Sequence, residues 1–370
     1  MLSSLIEKLE KVNDFRQSQG RRHSLWKILL IIILGLMTGY LGYRGLESFI
    51  QTYRQELLNI LNTLKPSAQK LPSYSTLRRV MMGVDDQELI ATFNEWAYLN
   101  YSKRDELDWL AIDGKSLRST VVNCHDSQQN FRIVVSMFSQ TTSEVVRLGV
   151  FESKKGSEVR KVQEMVRDCA LEGKVFTGDS LHCNLPLATT ILETNNHYLL
   201  AIKKNQIKLY ERVEKLAKLE ESDSVCVSND RSHGREINRQ TQVFNNFHHP
   251  LQKWQHLQNF IQVKRSGYRG SKTYEEIAYY GSSLCQKAEV FASAIQGHWG
   301  IENKLHWVKD VIFQEDRSPI THFQAATNFS TLKTLGINFF KTLGFDSMTA
   351  GKRGLANPKN YLFLLPLGFG

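Results

Sequence analysis

Two aspartates and one short segment concentrate the residue types that could do chemistry in this 370-residue chain. Asp113 ends the apolar run WLAID and Asp179 ends KVFTGD, and each has a glycine beside it. Short apolar runs of this kind read as strands. Acids at the ends of two parallel neighbours would share one sheet edge, where α/β folds bind ligands. The third element is HWGIENKLHWVKDV, in which His298, Glu302, His306 and Lys309 recur at i, i+4, i+8 and i+11. At about 100° per residue these four form a narrow polar stripe. The rest of that helix (Trp299, Ile301, Leu305, Trp307, Val308, Val311) is apolar.

Three carboxylates converging without cysteine favour hard cations, Mg²⁺ or Mn²⁺. Asp113, Asp179 and Glu302 could hold two such ions about 4 Å apart, one activating water or a 3′-hydroxyl and the other stabilising the leaving oxygen. Lys309 could meet a nearby phosphate as a point charge. Other readings stay open on spacing alone. An Asp next to Gly is commonly a turn residue. A zinc site from His298, Glu302 and His306 lacks the His-Glu-x-x-His pattern. Asp168, Asp310, Glu315 and Asp316 are further acids that could serve.

The elements that must position these residues alternate. WLAIDG, FRIVVSMFSQ and EVVRLGVFESK read as strands, the last two as a hairpin around TTS. Residues 157–171 carry a helical period, KVFTGD is a strand, 185–194 a helix and HYLLAIKKNQ a strand. That order predicts a mixed sheet with flanking helices. Residues 206 to about 285 interrupt it with one helix and several strands. Arg231, Arg235, Arg239, Lys264, Arg265, Arg269 and Lys272 stud this stretch, with Phe244, Phe247, Trp254, Tyr268 and Tyr274 between them. Helical periodicity returns from Ala288 to about Phe313, and 322–343 reads as a further helix.

Residues 1–95 read as a helical module rich in Lys and Arg, a reasonable place for DNA contacts. Its apolar run Ile28–Tyr43 has a positive flank (Arg21, Arg22, Lys27), but is shorter than the roughly 20 residues that span a bilayer. A buried core helix explains it at least as well. Charged residues at 23% and hydrophobic residues at 41% exclude collagen-like, coiled-coil and wholly disordered chains. The excess of 47 Lys+Arg over 37 Asp+Glu, +10, suits a polyanionic partner. Five cysteines, odd in number and without Cys-x-x-Cys, argue against a disulfide framework and for a reduced, cytosolic chain.

Four blocks carry a resemblance: IDGKSLR (112–118), TGDSLHC (177–183), IKKNQ (202–206) and HWGIENKLHWVKDVIFQED (298–316). They resemble the signature blocks of the H-repeat-associated insertion-sequence DDE transposases. DFRQ (14–17), RRHSL (21–25) and PSYSTLRRV (72–80) are similar to that family's associated N-terminal domain. The resemblance covers roughly residues 1–345. It implies an RNase H-like α/β core at 105–345 with a β-rich insertion at 206–285, a helical DNA-end-binding domain at 1–95 and a C-terminal tail at 346–370. It implies a catalytic and metal-binding triad of Asp113, Asp179 and Glu302, with Mg²⁺ or Mn²⁺ as a two-ion cofactor. DNA contacts would come from Lys309 and, more weakly, from Lys115, Arg118, Lys204 and His298.

The implied partners are double-stranded DNA (the element's terminal inverted repeats and its target) and further copies of the chain assembled on DNA. No membrane partner is expected, and the implied location is cytoplasmic, at the nucleoid. Two features depart from the family pattern. The superfamily's Arg before the Glu is missing among Ile295, Gln296 and Gly297, and the ending GLANPKNYLFLLPLGFG is not basic and helical. The alternative is a non-catalytic DNA-binding descendant of such a transposase.

Overall fold

Alternation along the strands decides which side each residue faces. In the computed structural model Leu110 and Ile112 pack with Val135, Phe176 and Leu200 in one core, whereas Ala111 packs with Val134 and Phe138 in another. Asp113, two residues beyond Ala111, therefore leaves the sheet on the second face. The structure describes residues 2–65, 70–101, 107–122, 129–232, 235–245, 254, 256–269, 272–345 and 347–356. Pro66, Cys124, Phe247 and tail residues 357–370 lie outside them.

The core strands are β1 (Trp109–Ser116), β2 (Arg132–Ser139), β3 (Val145–Glu152), β4 (Val175–Gly178) and β5 (His197–Ile202). Four more follow: β6 (Ser224–Ser232), β7 (Arg235–Asn245), β8 (Asn259–Arg269) and β9 (Lys272–Ser282). All nine form one sheet in the order β3-β2-β1-β4-β5-β9-β8-β7-β6. β1, β4 and β5 run parallel, and β2 lies antiparallel against β1. With its flanking helices this is the RNase H-like mixed sheet that the resemblance implies. The insertion extends this sheet, because β9 pairs antiparallel with β5.

Helices cover both faces. Helices α7 (Glu158–Arg167), α8 (Leu185–Glu193) and α9 (Ile207–Leu219) bury Val162, Val166, Leu187, Ile191 and Val213 against the Leu110–Ile112 face. α10 (Ala288–His298) packs Phe291 and Ile295 over Val175, Leu199 and Val263. The remaining core joins the two ends of the chain. It holds α1 (Leu2–Glu10), α2 (Leu25–Met37), α3 (Gly42–Thr52), α4 (Arg54–Leu64), α5 (Tyr74–Gly83) and α6 (Asp86–Tyr101), all gathered around α11 (Phe323–Thr342). A last helix, α12 (Met348–Leu355), packs there as well.

The apolar run is α2, and each of its 13 residues is buried. It stops at Met37 because Gly39 and Gly42 take positive φ values of 95° and 67°, which turn the chain into α3. Gly35 lets α3 approach: a Cβ there would lie 2.5 Å from Leu46 Cδ2. Among the described residues no single helix is long and apolar enough to cross a membrane. The nearest candidates, Ser18–Met37 and Gly42–Thr52, meet at 97°.

α11 is buried along most of its length although it carries Thr327, Asn328, Ser330, Thr331, Thr334 and Asn338. Its polar groups find backbone partners. Asn338 receives Val145 N at 2.9 Å and donates to Val145 O at 2.8 Å, and Asn328 donates to Met81 O and Val84 O. It also carries Lys333, buried with Glu315 at 3.6 Å, while Lys309 Nζ lies 3.0 Å from Ser330 Oγ. Two ammonium groups thus share one buried carboxylate. Glu315→Gln leaves both unpaired and is expected to cost about 3–5 kcal/mol in urea unfolding. Lys309→Met leaves the Glu315–Lys333 pair balanced and is expected to shift stability by less than about 1 kcal/mol. Equal losses from both substitutions would refute this charge count.

Candidate active site

Parallel register brings the aspartates together. Trp109, Leu110 and Ala111 pair with Val175, Phe176 and Thr177, so Asp113 and Asp179 continue the same register beyond the last paired positions. Neighbouring strands stand about 4.8 Å apart, so the backbone positions of the two aspartates lie side by side, Asp113 within β1 and Asp179 just past the end of β4. Glu302 comes from the segment after α10. Its Oε2 lies 3.1 Å from His306 Nδ1, and the same nitrogen lies 3.3 Å from Asp113 Oδ2. Asp113, Glu302 and His306 each offer a ligand atom, all within 4.8 Å of one another. Two carboxylates and one imidazole could hold a divalent cation, and Asp179 follows the adjoining strand β4 outside this cluster.

The electrostatics are those of crowded acids. Burial, and after it the charge of Glu158, pushes the Asp113 carboxyl up to about 7; Asp179 adds to this, while the Gly114 N–H and His182 oppose it. Burial also acts on Asp179, but the hydrogen bond and charge of His182, with the Leu181 and His182 N–H groups, hold it below its ordinary value. Burial, with Lys309 behind it, pushes His306 down to about 4 against the pull of Glu302.

Lys309 needs a correction. The α-helical stripe would carry it to the phosphate side with Glu302, yet its side chain is almost wholly enclosed. Glu302–His306 and Val308–Ile312 are π-helical turns. Seven residues are close to two turns of α-helix but only about one and a half of π-helix, so Lys309 swings away from Glu302 into the core. The same change of phase leaves Trp307 and Val311 about half exposed, where a regular apolar helix would bury them; Trp299, before the π turns, is half exposed as well.

The other basic residues divide. Lys115 Nζ bonds Asp310 at 2.8 Å and Asp316 at 3.2 Å, an internal clamp between β1 and the Glu302 segment that leaves its side chain only 10% exposed. Arg118 is 76% exposed and touches Asp316 through Nε at 3.1 Å. Lys204 is exposed in the turn after β5, and Asn205 ties that turn to the Asp179 loop by donating to Ser180 O at 2.6 Å. His298 faces inward: its Nδ1 is 2.9 Å from Thr177 Oγ1, joining the end of α10 to β4. Burial pushes its imidazole down to about 4.

In the insertion, Arg239 and Arg265 line a cleft of about 340 Å³ with Gln296, Trp299 and Asn303, beside Glu302. Arg265 stands 4.0 Å from Glu276, and Arg231 3.1 Å from Glu236. Three further residues lie close to the acids: His306, which spacing offered only for a zinc site, and His182 and Glu158, to which it gave no role. His306 stood in the polar stripe and His182 in the TGDSLHC block. Glu158 carried no signal beyond opening a helix.

A mixed sheet in this strand order, with helices on both faces, is an RNase H-like core; it carries one acid in β1, one just past β4 and a third on the segment after α10. Relatives agree. The family described as the transposase DDE domain matches residues 106–339, and the associated family matches 6–97. The chain is 30% identical to YbfL of Escherichia coli (strain K12) over all of its own length and 99% of that protein. The same figures hold for YhhI of that strain, which carries the name of an H repeat-associated transposase. YncI of Escherichia coli O157:H7, named as a transposase, is 27% identical over 92% of this chain and 88% of its own. The chain belongs to the H-repeat-associated DDE transposase family.

The raised Asp113 value has a consequence for stability. Its folded value, about 7, lies above the ordinary 3.8, so between these limits the folded protein holds more protons and stability falls as pH rises. In cation-free protein at pH 8, Asp113→Asn is expected to raise the melting midpoint by about 1–3 °C. At pH 5 the gain should be smaller, and it should vanish only below the ordinary value of 3.8. A less stable variant at pH 8 would show that the acids are not in conflict.

Proposed function

We propose that this chain is an active DDE transposase. It binds the ends of its own mobile element, hydrolyses a phosphodiester at each 3′ end and joins the freed 3′-hydroxyls to target DNA. The observation that supports this is the placement of acids from three separate segments: Asp113 in β1 and Asp179 just past β4 share one register, and Glu302 shares the His306 nitrogen with Asp113.

A divalent cation held there supplies Lewis-acid chemistry, making an attacking water or 3′-hydroxyl more acidic and neutralising charge on the leaving oxygen. The chain's own residues do the rest. Asp113, central between Asp179 and Glu302, would be the shared ligand. Asp179 engages Oδ1 with His182 and the Leu181 N–H, which leaves Oδ2 for a ligand. His306 orients Glu302 and keeps its carboxylate turned to Asp113. Lys115 holds the Glu302 segment against β1 through Asp310.

DNA contacts are best supplied by groups left at the surface. Lys204 and Arg118 flank the acids, and the Trp299 cleft offers an aromatic face between two guanidinium groups for an unpaired base or strand. Residues 1–95 would grip the element ends, since Arg44, Arg54, Arg78 and Arg79 remain exposed there. Such a protein would work on nucleoid DNA in the cytoplasm, assembled from several copies on the two element ends.

The test uses duplex DNA from the two flanks of the reading frame, carrying the inverted repeats expected there, with Mg²⁺ or Mn²⁺. Wild-type protein should nick the repeat ends and join them to a plasmid target. Asp113→Asn, Asp179→Asn and Glu302→Gln should each lower the rate at least about 10³-fold while the gel shift on end DNA persists. Wild-type protein that binds the ends and never cuts them would instead support the non-catalytic descendant.

A further inference from the structure

One buried imidazole and one carboxylate beside the acids have an arrangement that the triad does not use. The His182 side chain has almost no exposed surface. Its Nδ1 lies 3.0 Å from Asp179 Oδ1, and its Nε2 lies 3.2 Å from Glu158 Oε1. Nε2 makes no hydrogen bond of ordinary geometry, and Glu158 is the carboxylate it meets, as an ion pair. Glu158 opens α7, where Ser157 caps the helix by accepting from Arg160 N. The ring thus bridges an acid at the end of β4 and an acid at the start of α7.

Two glycines make the bridge possible. A Cβ on Gly114 would lie 2.3 Å from Glu158 Oε2, and one on Gly178 would lie 2.8 Å from His182 Cβ. Gly114 follows Asp113 and Gly178 precedes Asp179, so by alternation both face the side of the sheet opposite the acids. The residues that flank the aspartates are therefore small because Glu158 and His182 occupy the space beneath them. A buried ionic bridge is a poor way to gain stability, since apolar residues of the same volume serve as well. What it supplies is a fixed orientation.

We propose that Glu158 and His182 are a positioning pair for the cation site. Glu158 anchors the imidazole ring, and the ring fixes Asp179 Oδ1 so that the other carboxylate oxygen faces the cation. The inference rests on the reading of Asp113, Asp179 and Glu302 as cation ligands. Partners one step behind a ligand typically change metal affinity about 10–100-fold when altered.

The experiment measures Mn²⁺ affinity of the full-length chain without DNA, by calorimetry or by loss of the free Mn²⁺ resonance signal. Glu158→Gln preserves size and removes the charge. His182→Asn keeps a donor toward Asp179 and cuts the link to Glu158. Both should weaken Mn²⁺ binding by at least about tenfold, with the EDTA melting midpoint of Glu158→Gln close to wild type. Unchanged Mn²⁺ affinity in Glu158→Gln, with or without a shift in melting, would overturn the pairing. Asp113→Asn separates the two levels. If it abolishes Mn²⁺ binding while Glu158→Gln leaves it intact, only the positioning pair fails; if it too leaves binding intact, the cation site fails with it.

Discussion

Carboxylates brought together at half-buried strand ends repel one another, and much of this structure balances that repulsion. Asp113, Asp179, Glu302 and Glu158 come from four different segments of the chain. Without compensation, each would raise the cost of ionising the next. Asp179 is offset by His182, whose value burial alone would lower but which contacts with Asp179 and Glu158 push up to about 9. His182 and the Gly114 N–H only partly offset burial and Glu158 at Asp113, which keeps a raised value. His306, driven toward neutrality by burial, can align Glu302 and Asp113 without supplying a full positive charge. The arrangement leaves an excess of negative charge among the acids, which a divalent cation held as proposed would neutralise.

Holding Glu302 at that place requires a frame that does not drift, and the frame lies behind it. The segment bearing Glu302 is pinned to β1 by Lys115, Asp310 and Asp316, and to α11 by Lys309, Ser330, Glu315 and Lys333. α11 in turn is wrapped by the helices before β1, which share one apolar core with it. The N-terminal helices therefore contribute to the site at a distance. They bury α11, and α11 fixes the depth of the π-helical turns. Such turns, with one residue more per turn, persist where surrounding contacts impose them.

Much of this was legible in the residues. Alternation and β-branched content located β1 to β5 and the flanking helices; Asp179 does follow the end of β4, whereas β1 runs on past Asp113 to Ser116 because β2 continues to pair with it. Within the helical module of residues 1–95, periodicity does not mark the break at Tyr53 between α3 and α4. Lys309 was misplaced because the stripe assumed 100° per residue, and the π turns follow from tertiary contacts with α11. Glu158 and His182 were invisible for a similar reason. Their meeting depends on how α7 lies over β1, and the only local trace is a pair of glycines whose conformational signals suggest turns.

The same distinction locates the charge excess of +10. Lys27, Lys115, Lys309 and Lys333 are enclosed and bonded to carbonyl, hydroxyl or carboxylate oxygens. Arg16 forms a bidentate pair with Asp14, and Arg132 is paired with Asp86. These cations belong to the fold and cannot also meet a phosphate. A polyanion would feel mainly the residues left outside: Arg78 and Arg79 on α5, Arg44 and Arg54 nearby, and Lys203 and Lys204 beside the Asp179 loop. The first group stands on the helices that bury α11, and the second on the rim of the acids. A duplex meeting both would be registered against the same frame that sets Glu302, so recognition of an end and placement of its phosphate would share one rigid reference.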